Sequence, residues 1–253
     1  MQIVDDRFRS WFDALDERHF ASLRFSEVRH GLQALSSLYV ERRGRLGRGA
    51  ALDGAGKRAA FAVFYAPLHF LLVRSIIRGL GTSARSPHTI LDLGCGTGAA
   101  GAGWAIDARG DCRVTGVDLS GWAVDEARWN YRTLGLRGIA RRGDLMKTDL
   151  PGKKGAILLA FTVNELDHES RAAMLERLVA ASEHGARVLV IEPIARRPAP
   201  WWGDWARRFE AAGGRDDRWR VPVKLPERLR LLDKAAGLKH PELTGRSLAL
   251  GCG

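Results

Sequence analysis

The chain has 253 residues, 45% of them hydrophobic, and carries 40 Lys and Arg against 29 Asp and Glu, a net charge of +11. That length and apolar content can bury a full core, as one large domain or as a domain with a helical extension, and they exclude a disordered chain. Cys95, Cys112 and Cys252 share no CxxC spacing and no neighbouring His cluster, so neither a metal site nor a disulfide framework is expected, and a reducing cytoplasm is the expected compartment.

The start, Met1 to Asp6, lacks the charged beginning and apolar run of a signal peptide. Phe8, Trp11, Phe12 and Leu15 then fall at i, i+3, i+4, i+7 behind Asp5 and Asp6, which predicts an amphipathic helix. A second helix is predicted from about Ser22 to Val40. Glu41 to Lys57 holds five glycines and five basic residues without periodicity and reads as a basic loop. A third helix is predicted over 58–80, kinked near Pro67. Its apolar stretch, Ala59 to Val73, falls short of the ~20 residues that a bilayer requires, so it reads as a buried helix and no membrane partner is expected.

After Pro87 short apolar runs alternate with segments of helix length. Thr89–Leu93, Arg113–Val117, Gly138–Arg141, Gly155–Phe161 and Ala186–Ile191 predict the strands of a parallel sheet with helices on both faces. Pro200, Trp201, Trp202, Trp205 and Phe209 predict a helix whose aromatic stripe packs over the sheet, with stacking on bases or on a flat substrate as the alternative. Pro226 to Ala236 reads as a helix stopped at Gly237. Leu238–Leu243 and Arg246–Leu250 read as a terminal hairpin around Thr244 and Gly245.

The strongest signal is Ile90-Leu91-Asp92-Leu93-Gly94-Cys95-Gly96-Thr97-Gly98, an apolar strand entering a glycine-rich turn where a ligand belongs. Gly94-x-Gly96-x-x-Ala99 also satisfies the relaxed dinucleotide pattern. Asp92 separates the two readings, because its carboxylate repels a pyrophosphate and welcomes a cationic amino-acid moiety. Asp118 ends the second strand, where it can accept both hydroxyls of a ribose, and this fits either ligand. Asp144 follows the third strand, where it can accept from an adenine amino group while Leu119 or Leu145 covers the ring.

With Asp92-x-Gly94-x-Gly96-x-Gly98, Asp118 and Asp144 at successive strand ends, residues 88–193 resemble the class I S-adenosylmethionine-dependent methyltransferases. The resemblance implies S-adenosylmethionine as cofactor, with its methionine part at Gly94, Cys95, Gly96 and Gly98, its ribose at Asp118, its adenine at Asp144, and Phe161 among its contacts. It also implies an α/β fold: a doubly wound, mostly parallel seven-stranded sheet with a terminal antiparallel hairpin over 85–253, preceded by a helical extension over 1–84 that roofs the cleft or binds substrate. The fourth strand of such a sheet delivers the reacting residues, here Asn164 and Glu165 to position an acceptor and His168 to take its proton; the bland alternative leaves His168 in solvent at the start of a helix.

Departures narrow the chemistry. Asn164 is followed by Glu165-Leu166 and not by the Pro-Pro-aromatic of many amino-group methyltransferases, and no cysteine follows the fourth strand to attack a cytosine. Tyr65-Ala66-Pro67 and Asn164-Glu165-Leu166 resemble bacterial relatives of a methyltransferase-like family associated with assembly of the small ribosomal subunit, without the cysteine cluster of its mitochondrial members. The basic excess, net +5 over 1–84, +2 over 85–199 and +4 over 200–253, sits in the flanks, where it can steer an anionic partner. Arg accounts for 33 of the 40 basic residues, which biased codon usage also produces. The expected acceptor is therefore RNA, in ribosomal RNA or the ribosomal subunit. A small-molecule acceptor, a non-catalytic assembly factor and an NAD-dependent oxidoreductase are the alternatives, and oligomeric state is left open.

Overall fold

The computed structural model describes residues 4–41, 52–81, 86–108, 111–194, 199–238 and 240–252. Most of the basic loop read over Glu41–Lys57 lies outside the described residues.

Seven strands form one sheet: β1 (Thr89–Leu93), β2 (Arg113–Asp118), β3 (Arg137–Arg142), β4 (Gly155–Ala160), β5 (Arg187–Glu192), β6 (Arg215–Pro222) and β7 (Glu242–Leu250). Their order is β3-β2-β1-β4-β5-β7-β6. β1 to β5 are parallel, and β7 runs antiparallel to both β5 and β6. The chain therefore reverses its winding direction at β1 and β4, and a crevice opens beyond the carboxyl ends of these two strands.

Alternation along the strands builds two cores. Ile90, Val114, Leu158 and Leu189 face one side, where they meet α1 (Asp6–Phe20), α4 (Ala66–Gly79), α5 (Ala99–Asp107) and α6 (Gly121–Thr133). Leu91, Val117, Ile157 and Val188 face the other, under α7 (His168–Glu183) and α8 (Trp202–Ala211). The stripe of Trp202, Trp205 and Phe209 is buried in this second core, so it covers the sheet and presents no ring for a base to stack on.

The antiparallel pair at the end of the sheet is present, with a different partner from the one the sequence suggests. Leu238–Leu243 and Arg246–Leu250 do not fold back on each other: Thr244 and Gly245 lie inside β7, which pairs with β6. β6 was hidden because Arg-Asp-Asp-Arg-Trp-Arg-Val-Pro carries charges where a central strand would be apolar, a composition that a sheet edge tolerates.

The N-terminal helices share the first core. Asp5 caps α1, its Oδ1 accepting from Phe8 N–H at 3.0 Å, and Phe8, Trp11, Phe12 and Leu15 are buried. The Trp11 indole donates to Asn130 on α6 at 2.7 Å, and Asn130 donates in turn to the Thr97 carbonyl at 2.9 Å. The buried Arg74 guanidinium joins Asp5 (2.7 Å) to Asp107 (3.0 Å). α2 (Phe25–Glu41) and the short α3 (Ala55–Ala60) complete this layer.

The kink expected near Pro67 is a π-helical turn, Phe61–Tyr65, between α3 and α4. Pro67 has no N–H and its ring crowds the carbonyl four residues earlier, and the wide turn, closed by Ala66 N–H to Phe61 C=O, relieves that clash. The resulting Ala55–Gly79 rod is long and apolar enough to cross a membrane, but 78% of its most apolar window is buried in the protein, which makes it a core helix.

Candidate functional site

At the carboxyl ends of β1 and β4 lies a cleft of about 850 Å³. Gly94, Gly96 and Gly98 all have positive φ, so the turn after β1 is left-handed at every second residue. A Cβ at Gly94 would sit 2.3 Å from the Thr162 methyl, whereas one at Gly96 would meet nothing closer than the Phe61 ring at 3.6 Å. The first glycine lets the turn approach the chain after β4, and the second keeps open the space that a ligand's backbone-hugging part needs.

Asp92 is buried at the edge of this space. One carboxylate oxygen accepts from Gly101 N–H at 2.9 Å, and Oδ1 has no partner among the described residues. Burial pushes its pKa up to about 7, against the lowering effect of the Gly101 bond, with Asp118 nearby adding to the rise. Asp118 closes the turn, its two oxygens accepting from Gly96 N–H (2.9 Å) and Ser120 N–H (2.8 Å). Cys95, Leu119 and Leu145 also line the cleft, and burial pushes the Cys95 thiol well above its ordinary range, which makes it inert.

Phe161, directly after β4, holds φ of 61°, a left-handed conformation that costs a branched or bulky residue on the order of 1 kcal/mol or more. The strain turns its ring onto the His69 imidazole, with centroids 4.0 Å apart. Asn164 lines the cleft beside it. Its amide donates to Glu192 Oε2 at 2.6 Å, and its carbonyl accepts from the Trp201 indole at 2.9 Å. Glu192 is buried at the end of β5, and burial pushes its pKa up to about 8 although Asn164 and Arg246 favour the charged form. Glu165 also lines the cleft.

Two expected site residues are placed differently. Asp144 does not line the cleft, although its neighbours Gly143 and Leu145 do. Its side chain accepts from Met146 N–H at 2.9 Å and so starts the short turn Leu145–Lys147, a capping duty that a carboxylate at a strand end readily takes. His168 lies exposed in the first turn of α7, behind the cap Asp167, and is not among the cleft residues. The bland reading of His168 is the one the geometry favours.

Among the cleft residues that the sequence reading missed are Phe61, His69, Arg171 and Glu192. Glu192 left a signal, an acid ending the otherwise apolar strand Val188–Ile191. Phe61, Tyr65 and His69 recur at i, i+4, i+8, a spacing that core residues also show.

Residues 90–185 match the family described as methyltransferase domain. A carboxy-S-adenosyl-L-methionine synthase of Chromohalobacter salexigens is 34% identical over 136 residues, 51% of this chain and 49% of that protein, so the chain spans about half the length of the curated relative it matches. Among solved structures, an O-methyltransferase candidate from Nostoc punctiforme superposes with a TM-score of 0.52 at 15% identity, covering 92% of this chain and 71% of that one. Magnesium protoporphyrin IX methyltransferase from Synechocystis with bound S-adenosylhomocysteine superposes with a TM-score of 0.50 at 16% identity, covering 88% and 97%. At such identities the likeness is one of fold.

Proposed function

We propose that this chain is a class I S-adenosylmethionine-dependent methyltransferase and that it methylates a small acceptor carrying no net negative charge. The observation that carries the reading is Asp92 Oδ1, a buried carboxylate oxygen without a partner among the described residues, at the edge of a glycine turn. Such an oxygen suits the cationic amino-acid part of S-adenosylmethionine and would repel the pyrophosphate of NAD.

Asp92 and the Gly94–Gly98 turn would hold the methionine part, Asp118 the ribose, and Leu119, Gly143 and Leu145 the adenine side of the cleft. When bound, S-adenosylmethionine supplies a methyl group on a sulfonium, so a lone pair of the acceptor takes the methyl, sulfur keeps the electrons of the broken bond, and S-adenosylhomocysteine and a proton leave. What this chain contributes is placement and exclusion of water. Phe61 lies over Gly96 of the turn, Phe161 lines the cleft, and Asn164, fixed by Glu192 and Trp201, keeps one amide hydrogen for the acceptor.

The charge of the cleft speaks against RNA. Asp118, Glu165 and Asp167 line it, together with Asp92 and Glu192, which burial leaves partly and mostly protonated at neutral pH, against Arg142 and Arg171. Arg171 is already engaged with the carbonyls of Leu166 (2.6 Å) and Val163 (3.4 Å). A phosphate backbone would meet this lining at a Coulombic cost, so the basic flanks serve some other purpose than feeding this cleft. The relative from Chromohalobacter is likewise named for chemistry on a small molecule.

Labelled S-adenosylmethionine, incubated with the protein and fractionated cell extract, is expected to put label into small metabolites. Label entering RNA would overturn the acceptor class, and a protein that binds NAD but not S-adenosylmethionine would overturn the whole assignment.

The pH dependence of cofactor binding follows from Asp92. Between its ordinary 3.8 and about 7, the folded carboxyl keeps a proton that the unfolded chain has lost, so this group costs stability as pH rises through that window. A bound cation favours the ionised form and expels the proton. Affinity for S-adenosylmethionine is therefore expected to rise by up to about tenfold per pH unit toward pH 7 and then to level off. Asp92→Asn should flatten this profile in calorimetric titrations; an unchanged slope would mean that another group titrates.

A further inference from the structure

Four rings form one continuous wall of the cleft. Phe61 lies 6.0 Å from Tyr65 and 6.3 Å edge-on from His69, Tyr65 lies 6.3 Å from His69, and His69 stacks on Phe161. All four line the cleft. They are brought together by two departures from regular backbone, the π-helical turn Phe61–Tyr65 and the left-handed Phe161. Irregularities of this kind persist where the surrounding structure holds them, and they cluster at ligand sites.

His69 differs from an ordinary core histidine. Neither ring nitrogen hydrogen-bonds to another described residue, no carboxylate pairs with it among them, and its ring is half-buried between Phe161 and the edge of Phe61. Burial pushes its pKa down to about 3, so it stays neutral across physiological pH and offers one nitrogen as an acceptor. The ring nitrogens are open to the cleft, so a ligand's donor can take the place of water there. The same cleft is also lined by the polar and acidic Asn164, Glu165 and Glu192.

Resting on the methyl-transfer reading above, we infer that the aromatic wall seats the acceptor, and that the acceptor is a flat, uncharged aromatic or heteroaromatic ring whose O–H or N–H donates to the His69 imidazole. A saturated ring of the same size would lose the ring-to-ring contacts that an aromatic wall offers. An anionic ring would share the cleft with the Glu165 carboxylate, and a ring whose acceptor atom is ionised would bring no proton for His69 to accept. His69 is thus assigned as the residue that discriminates between acceptors.

The test uses the full chain saturated with S-adenosylhomocysteine and three probes: 2-naphthol, 2-naphthoate and cyclohexanol. Calorimetry or saturation-transfer NMR is expected to show saturable binding of 2-naphthol, at least tenfold tighter than either of the others. His69→Ala should weaken 2-naphthol at least tenfold and leave S-adenosylhomocysteine affinity within twofold. His69→Phe, which keeps a ring against Phe161, should restore part of the affinity for naphthalene itself but not for 2-naphthol. Equal binding of cyclohexanol, tighter binding of naphthoate, or indifference of 2-naphthol to His69→Ala would overturn the inference. Failure of the wild-type protein to bind S-adenosylhomocysteine would strike the methyl-transfer reading itself, and that is a separate observation in the same titration.

Discussion

Asp118→Ala is expected to weaken S-adenosylhomocysteine binding by about 100-fold while the protein stays folded. The carboxylate closes the ligand turn through Gly96 and Ser120, and its remaining lone pairs face the cleft. A hydrogen bond to a charged group contributes about 1.5–3 kcal/mol, and losing the ribose contact together with the order of the turn amounts to about 3 kcal/mol, or two decades in affinity. Asp118→Asn, which keeps one acceptor oxygen, should fall between the two. Isothermal titration decides the matter, and an Asp118→Ala protein within threefold of wild type would remove this residue from the cofactor site.

Trp11→Ala is expected to destabilise the whole chain, by about 3–5 kcal/mol, because a large buried aromatic is deleted from a close-packed core. The Trp11 ring lies 4.9 Å from Phe70 and 5.8 Å from Phe8, and its N–H satisfies a completely buried Asn130. For a chain of this size each kcal/mol is about 2–4 °C in Tm, so a single transition should shift down by roughly 10 °C or more. Trp11→Phe, which keeps most of the volume and loses the donor, should cost less. Were the helices before Gly81 an accessory, the main transition would stay in place and only a minor one would move. A loss of cofactor affinity is expected alongside, since Asn130 also holds the Thr97 carbonyl in the ligand turn.

Most of the central sheet was legible because β1, β2, β4 and β5 are largely buried on both faces and so read as short apolar runs between helix-length segments. The ligand turn was legible for a different reason: left-handed φ at Gly94, Gly96 and Gly98 demands glycine, so backbone geometry is written directly in residue type. β6 was not, because an edge strand need not be apolar. Asp144 and His168 show where the argument from strand ends runs out. A carboxylate or imidazole at such a position has local work available, capping a turn or starting a helix, and only the surrounding packing decides between that and the cleft. The acceptor wall was the least legible part. Phe61, Tyr65 and His69 lie in the most apolar stretch of the chain, where periodicity alone speaks for a core helix, and their turn toward the cleft depends on the widened turn before Pro67.

That widened turn has a consequence for how such a protein can change. A π-helical turn amounts to one extra residue inserted in an α-helix, and each residue of an α-helix advances the side chains by about 100°. Insertion or loss of a single residue near Pro67 therefore re-aims Phe61 and everything before it relative to His69, and moves the ring that lies over Gly96. A change of one residue in length would therefore act on the aromatic wall and on the cover of the glycine turn together, so the two are coupled through a single helix.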